Sequence, residues 1–197
     1  MTAPAITAAD IRTFWFDEAG PAAWYRVSPD FDARMRRRFA ACVEREAAAL
    51  RAGEHPWQGD AEDALALILL LDQFPRNIWR GSGKAFAFDA LARQVARSMI
   101  ERGFDWAIAE EHRAFVYMPF MHSEALGDQD YCVALAAERL AGQGTHEHAV
   151  KHRDVIRRFG RFPYRNEALQ RTSTPEEIDY LEQGGYAPGR IDSAKKT

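Results

Sequence analysis

Residues 64–71 read ALALILLL, a run of apolar side chains without a single polar position. A helix of this sequence is apolar on every side, so it must lie inside the protein with other elements packed around it. Asp60 before the run is a typical helix N-cap, and Pro75 after it is expected to end the helix because proline lacks an amide hydrogen. The run is too short to cross a membrane, which takes about 20 residues. It therefore predicts the central helix of a globular core.

The sequence on both sides has apolar residues at spacings of three and four, and it lacks the alternation that is typical of strands. Capping residues and first-turn prolines predict helix starts at Thr7, Ser28–Pro29 and Thr174–Pro175. Further starts are predicted at Ser82, Asp105 and Thr145, an interruption at Pro119, and helix ends at Gly53, Gly103 and Gly160. Helices joined by short turns predict an all-α fold of stacked antiparallel helical hairpins.

Size and composition predict one domain over residues 1–186, followed by a loosely ordered tail over residues 187–197. The formal net charge of −3 gives no general attraction to nucleic acid, and no segment predicts membrane insertion. Cys42 and Cys132 are far apart in apolar helical patterns, and the first residues do not resemble a signal peptide. We therefore expect a cytoplasmic protein without disulfides.

Four segments resemble one known family. They are IRTFWF (11–16), LDQFPRNIWRG (71–81), FVYMPFMHSE (115–124) and HRDVIRRFGRFPYRNEALQRTSTPEE (152–177). Their sequence and order are similar to the signature stretches of a bacterial family catalogued as domain of unknown function 924. The resemblance implies an all-α, tetratricopeptide-like superhelical arrangement and implies no activity. This chain departs from the family at Tyr164, where histidine is common, and at Gln170, where glycine is usual. The departure at Tyr164 argues against a catalytic role for that position.

Two similar junctions, QFPRN at 73–77 and RFPYRN at 161–166, carry the first candidate site. Guanidinium groups bind carboxylates or phosphates through a planar set of donors, and asparagine amides orient such ligands. The predicted anion ligands are Arg76, Asn77, Arg80, Arg161, Arg165 and Asn166. The alternative interpretation is that these residues cap helix ends and pair with neighbours, as the spacing of Asp72 and Arg76 indicates. The repeated Phe-Pro pair indicates either that a hairpin junction was duplicated or that Phe-Pro simply ends a helix at each place.

Histidines carry the second candidate site. His122 follows Pro119 and precedes Glu124, so it is a candidate general base oriented by that carboxylate. His152 is a second candidate base, since it shares a predicted helix face with Ile156 and Phe159. The plainer interpretation of these residues is a buried hydrogen-bond network. His148 and His152 have a spacing that allows metal chelation, but no further ligand type accompanies them, and no metal or cofactor is expected.

Three functions remain open from the sequence. The first is a binding module for a small anionic ligand or a peptide carboxylate, using the arginines and asparagines of the two junctions. The second is a metal-independent hydrolase or lyase acting on an anionic metabolite, with His122 or His152 as the base and Glu124 as its partner. The third is a scaffold for a protein partner or a homo-oligomer, which uses exposed aromatics such as Trp24, Tyr25 or Trp57. Nucleic acid and membranes are not expected partners.

Overall fold

A computed structural model describes residues 5–24, 26–140, 142 and 144–187 of the chain. Within these residues the regular structure is entirely helical, which confirms the all-α prediction. The α-helices are α1 (Ala8–Arg12), α2 (Pro21–Trp24), α3 (Pro29–Ala52), α4 (Ala61–Ile68), α5 (Phe74–Ile78), α6 (Asp89–Glu101), α7 (Glu110–Met121), α8 (Leu126–Arg139), α9 (Thr145–Phe159) and α10 (Pro175–Glu182). Two π-helical segments, Thr13–Ala19 and Leu69–Gln73, extend α1 and join α4 to α5. Short 3₁₀ turns lie at Pro56–Gly59, Gly83–Phe86, Phe104–Ala107 and Pro163–Arg165.

The predicted central helix is confirmed. Every residue from 64 to 71 is at most 1% exposed. Helix α4 packs against α1, α6 and α7, while α5 packs against α3. The helices that follow pack in chain order, α6 on α7, α7 on α8 and α8 on α9. The apolar run therefore forms the centre of the core, and the later helices build outward from it.

Pro75 does not end this helix, contrary to expectation. The amide of Phe74 donates to the carbonyl of Leu69, five residues back, which is the register of a π-helix. The wider turn shifts the hydrogen bonds of the chain just before Pro75, and the proline then occupies the first turn of α5, where its missing amide hydrogen costs nothing. The chain stays helical from Ala61 to Ile78 and carries Asp72 on the π segment.

Several predicted helix ends are confirmed by their capping bonds. The hydroxyl of Ser28 accepts from the amide of Phe31 at 3.4 Å. Gly160 ends α9 in the left-handed conformation, with φ at 69°. Capping boxes, in which side chain and backbone bond reciprocally, begin α1 and α10. Local capping chemistry therefore sets these boundaries.

Two predicted helix starts are wrong. Asp105 does not cap a helix, because its fully buried carboxylate accepts from the hydroxyl of Tyr117 at 2.6 Å and from Arg139 at 2.7 Å. Helix α7 instead begins at Glu110. Ser82 caps only the 3₁₀ turn Gly83–Phe86, and α6 begins later, at Asp89. Asp105 therefore forms tertiary hydrogen bonds instead of capping a helix, and Ser82 caps a short turn instead of α6.

Pro119 lies within α7 rather than interrupting it. The helix ends two residues later at Met121, so the missing amide hydrogen disturbs only the final turn. His122 is the C-cap of α7, and its amide donates to the carbonyl of Met118 at 2.9 Å. The end of α7 thus places the His122 side chain at a fixed position.

The aromatic residues proposed as an exposed partner surface are not fully exposed. Trp24 and Trp57 are half-buried and pack against the core, and the Trp24 ring stacks on Trp15 with centroids 6.1 Å apart. Tyr25 lies outside the described residues, as does the predicted tail apart from Ala187. Cys42 and Cys132 are buried free thiols. In the described part of the chain, no helix has the length and apolarity needed for a membrane span.

Candidate functional site

A fully buried carboxylate, Asp72, is the centre of the candidate site. It accepts hydrogen bonds from Gln73 at 2.6 Å and from Arg76 at 3.0 Å, and its two oxygens lie 2.8 and 2.9 Å from Nδ1 of His122. Burial raises the pKa of Asp72, but the attraction of His122, which is protonated at the acid pH where Asp72 titrates, and of Arg76 outweighs burial and holds that pKa below its ordinary value. Asp72 is therefore ionised, and since a carboxylate only accepts, Nδ1 of His122 donates the proton.

His122 is neutral at neutral pH. Burial, followed by the charge of Arg76, lowers the pKa of His122, and the opposing attraction of Asp72 does not restore it. With the proton on Nδ1, the lone pair is on Nε2, and no side chain or backbone group among the described residues hydrogen-bonds to Nε2. The side chain is 15% exposed, so the ring reaches solvent. General-base catalysis requires an imidazole with an available ring nitrogen, and a carboxylate that holds the other ring nitrogen fixes its orientation.

A second neutral imidazole lies beside the first. His152, on α9, donates from Nδ1 to the carbonyl of His148 at 2.8 Å, and its ring centroid is 6.2 Å from that of His122. Burial, together with the nearby His122, lowers the pKa of His152 to about 3. Its Nε2 is buried and has no hydrogen-bond partner in the described structure. Tyr186, which follows α10, covers the ring edge-on at 4.9 Å.

The two Phe-Pro junctions converge in space at Asp89, the first residue of α6. Arg76 donates to Oδ1 of Asp89 at 3.1 Å, and Nη1 of Arg165 lies 3.8 Å from Oδ2. Both guanidinium groups also lie over the ring of Phe86, at 5.5 and 4.6 Å from its centroid. Two of the six predicted anion ligands therefore meet beside the histidines.

Arg165 is held in an unusual way for a buried cation. The residue is 4% exposed, yet its side chain forms no hydrogen bond with any described residue. Its guanidinium instead lies over the rings of Phe162 and Phe86, 4.4 and 4.6 Å from their centroids. Stacking on aromatic rings stabilises the charge but leaves its N–H donors available. Arg165 therefore differs from Arg76, whose guanidinium donates to two carboxylates.

The other predicted ligands of the first junction bind a protein carboxylate. Asn77 donates to Oδ1 of Asp32 at 2.9 Å, and Arg80 donates to both oxygens of Asp32, at 2.7 and 3.1 Å. Asp32 lies in the first turn of α3, so this clamp fixes the start of α3 to the end of α5.

The second junction repeats that clamp with different partners. Asn166 donates to Oε2 of Glu177 at 3.1 Å, and Arg161 donates to both oxygens, at 2.6 and 2.8 Å. The hydrogen bond from Arg161 lowers the pKa of Glu177 to about 2. Glu177 lies in the first turn of α10. At both junctions, therefore, the asparagine and one arginine pair with a protein carboxylate, as the alternative interpretation of the sequence predicts.

Glu124 does not orient His122. Its two oxygens accept from Arg171 at 2.7 and 3.0 Å, and one of them also accepts from the amide of Phe162 at 2.9 Å. Burial raises the pKa of Glu124, but the hydrogen bonds from Arg171 and Phe162 outweigh it and lower that pKa. The orienting carboxylate is Asp72, which lies 50 residues before His122 in the sequence.

Sequence reasoning missed Asp89 and Phe86 and treated Asp72 only as a surface partner of Arg76. A signal was present for Asp72, because an ionisable residue directly after an all-apolar helix must be buried and therefore paired. No local pattern distinguished Asp89. Among the residues that the structure describes, no group of three potential metal ligands comes together.

The chain is similar to a described protein family and to a solved structure. Residues 11–185 match the model of a family described as bacterial protein of unknown function, DUF924. The chain belongs to the DUF924 family. A solved structure of a protein of unknown function from Agrobacterium tumefaciens resembles this DUF924 protein, with 45% sequence identity and a TM-score of 0.81. The match covers 90% of this chain and 97% of the other. A comparison with curated proteins gives no match.

The two departures from the DUF924 pattern have distinct structural settings. Gln170 has φ at 54°, in the left-handed region where glycine is favoured. Tyr164 lies beside the site, with its ring centroid 5.6 Å from the guanidinium of Arg165. Gln170 therefore places a side chain where the backbone is strained. Tyr164 instead places a ring beside Arg165, which is one of the predicted anion-binding residues.

Proposed function

We propose that this DUF924 protein is an acid–base enzyme acting on a small anionic substrate. His122 is the general base, Asp72 holds its ring, and Arg165 binds the negative charge of the substrate. The observation that carries the proposal is the contact of His122 Nδ1 with the fully buried Asp72, which leaves the lone pair of the neutral ring on Nε2, without a hydrogen-bond partner among the described residues. Hydrolysis and elimination both begin with removal of a proton by such a group.

The proton movements follow from the hydrogen bonds. Nε2 of His122 removes a proton from a water molecule or from the substrate and becomes an imidazolium. Asp72 remains ionised and stabilises that positive charge through Nδ1. The imidazolium then returns the proton to the leaving group, so the histidine is regenerated at the end of the cycle.

His152 is poorly suited to the role of base. Its pKa of about 3 means that it holds a proton only weakly, although its Nε2 can accept a hydrogen bond from a substrate. We therefore assign His152 to substrate binding and His122 to proton transfer.

The test is a turnover assay on three anionic substrate classes: phosphate monoesters, carboxylate-bearing esters and hydroxycarboxylates. We expect one class to be converted, with kcat/KM falling about 100-fold or more in His122→Gln. His146→Gln, at an exposed position on α9, is the matched control and should retain full activity. A folded His122→Gln variant with the turnover of the parent protein would contradict the proposal.

A second candidate function is binding of a peptide carboxylate, and one observation favours it. A surface depression of about 260 Å³ between α9 and α10 is lined by Val155, Phe159, Tyr180, Tyr186, Lys151, Arg158 and Asp154. Apolar walls with basic groups at the rim suit a peptide C-terminus. Titration with a short tyrosine-ended peptide should show binding that Lys151→Ala weakens and that amidation of the peptide terminus abolishes. Equal binding of the acid and the amide would exclude this function.

We further infer that the helices from α6 to α9 follow a tetratricopeptide-like superhelical path. Each helix packs on the next in chain order, and short connections join them, as in stacked helical hairpins. A cytoplasmic location is consistent with the two buried free thiols.

A further inference from the structure

The chemistry of Arg165 favours a carboxylate as the group that it binds. Its nearest protein carboxylate oxygen, on Asp89, is 3.8 Å away, which is beyond hydrogen-bond distance. The planar guanidinium can therefore offer two parallel N–H donors to one ligand carboxylate. Because the residue is 4% exposed, such a pair would form away from bulk water.

The charge balance of the cluster argues against a dianionic ligand. Asp72 and Asp89 offset Arg76 and Arg165, and both histidines are neutral, so the cluster has no net formal charge. Arg76 is already bound by both carboxylates and cannot serve as a second free cation. A bound monoanion would leave the cluster with one net negative charge, whereas a phosphate dianion would leave it with two and would therefore be costlier to bury.

His152 requires a donor from the ligand. Its Nδ1 donates to the carbonyl of His148, so Nε2 carries a lone pair, and this atom is buried without a partner in the described structure. Phe162 contacts both groups: its ring lies 4.4 Å from the Arg165 guanidinium and 5.6 Å from the His152 ring. The two groups therefore lie around one aromatic ring, and a small ligand that bound there would need an acceptor for Arg165 and a donor for His152.

We propose that the substrates are small hydroxycarboxylates, with the carboxylate bound by Arg165 and the hydroxyl group donating to Nε2 of His152. This inference rests on the proposed function, because it names the substrate class of the same site. The ring centroid of His122 lies 6.2 Å from that of His152, and in this proposal His122 removes a proton from the bound molecule.

Binding measurements with matched probes test the inference. Isothermal titration at pH 7.5 would compare 2-hydroxybutyrate, 3-hydroxybutyrate, butyrate and inorganic phosphate. We expect at least one hydroxybutyrate to bind about tenfold more tightly than butyrate, which corresponds to the gain from one satisfied buried acceptor. We expect phosphate to bind more weakly than that hydroxybutyrate. Arg165→Gln should weaken the binding of that hydroxybutyrate about tenfold or more.

The role of His152 has two readouts. His152→Leu should bind hydroxybutyrate and butyrate equally. In the parent protein, the ¹⁵N resonance of His152 Nε2 should shift with hydroxybutyrate and not with butyrate, which tests the contact even where the variant fails to fold. Equal affinities for hydroxybutyrate and butyrate, tighter binding of phosphate, or no binding of any probe would each overturn the inference.

The same experiments separate this inference from the proposed function. If hydroxybutyrates bind as expected but none of the three anionic substrate classes is converted, the ligand class stands and the enzyme proposal fails. If His122-dependent turnover occurs only with another class and hydroxybutyrates do not bind, the enzyme proposal stands and the ligand class fails.

Discussion

At the first Phe-Pro junction Arg76 is held between Asp72 and Asp89, whereas its counterpart at the second junction, Arg165, has no hydrogen bond from its side chain to any described residue. The junctions otherwise share a clamp in which an asparagine and an arginine hold a carboxylate at the start of another helix. The comparison shows that a shared motif places equivalent groups but does not give them equivalent roles. The partners of each arginine distinguish a structural cation from one available to a ligand.

The backbones of the two junctions also differ. Pro75 continues a helix through a π-helical turn, while Phe162 is extended, with φ at −89° and ψ at 108°, and leads into a 3₁₀ turn. The ring of this extended residue contacts both His152 and Arg165. The helical junction supports the core, and the extended junction forms the wall of the candidate site.

The largest effect is expected from breaking either clamp. Asp32→Ala and Glu177→Ala should each lower the free energy of unfolding by about 3 kcal/mol, because the donors of an asparagine and an arginine lose their buried acceptor. Urea denaturation followed by circular dichroism measures the loss. A lower free energy of unfolding in one variant and not in the other would show that the two clamps are not equivalent.

Replacing the two equivalent arginines should give opposite results. Arg76→Met should lower the free energy of unfolding by about 2 kcal/mol, since Asp72 and Asp89 both lose a donor. Arg165→Met should leave it unchanged or raise it, because the variant removes a buried charge that forms no hydrogen bond. Thermal and urea unfolding of the pair measure the difference. Similar losses in both variants would contradict the distinction drawn between the junctions.

A smaller effect is expected from pH. Folded His152 stays neutral well below pH 6.5, whereas in the unfolded chain it takes up a proton as pH falls through about 6.5. The unfolded state then binds more protons, so stability falls with falling pH, by about 1 kcal/mol for this histidine between pH 6 and pH 5. His152→Gln should flatten that dependence, and the exposed His146→Gln should leave it unchanged. An unchanged slope in His152→Gln would refute the assigned neutrality.

The smallest effect concerns the strained end of the second junction. Gln170 is exposed and has φ at 54°, so glycine there should relieve left-handed strain and stabilise the fold by about 0.5–1 kcal/mol. Gln170→Ala keeps the Cβ atom and should give no gain. Melting temperatures of the two variants measure this difference, and an equal gain from alanine would exclude strain as the cause.

Local chemistry explains why much of the fold could be predicted. The apolar run at 64–71 and the caps at Ser28 and Thr174 need only neighbouring residues to form, and the structure confirms them. Pro75 and Asp105 were interpreted wrongly because a π-helical register and a tertiary pairing decide their roles. Such effects depend on contacts that sequence neighbours do not reveal.

The candidate site was predictable only in part. The histidines and the two arginines that meet were identified from chemistry and from the repeated junction. The partner of His122, however, is Asp72 rather than the adjacent Glu124, and the shared Asp89 had no local signal. Long-range pairing decides that Asp72 contacts His122 and that Glu124 instead accepts from Arg171.

The protonation state of His122 decides whether this residue can be the general base that we propose. Long-range ¹H–¹⁵N NMR of the parent protein at pH 7 reports which ring nitrogen carries the proton. We expect a neutral His122 ring with the proton on Nδ1, held by Asp72, and a lone pair on Nε2. A ring protonated on Nε2, or an imidazolium at pH 7, would contradict the assignment of His122 as the general base.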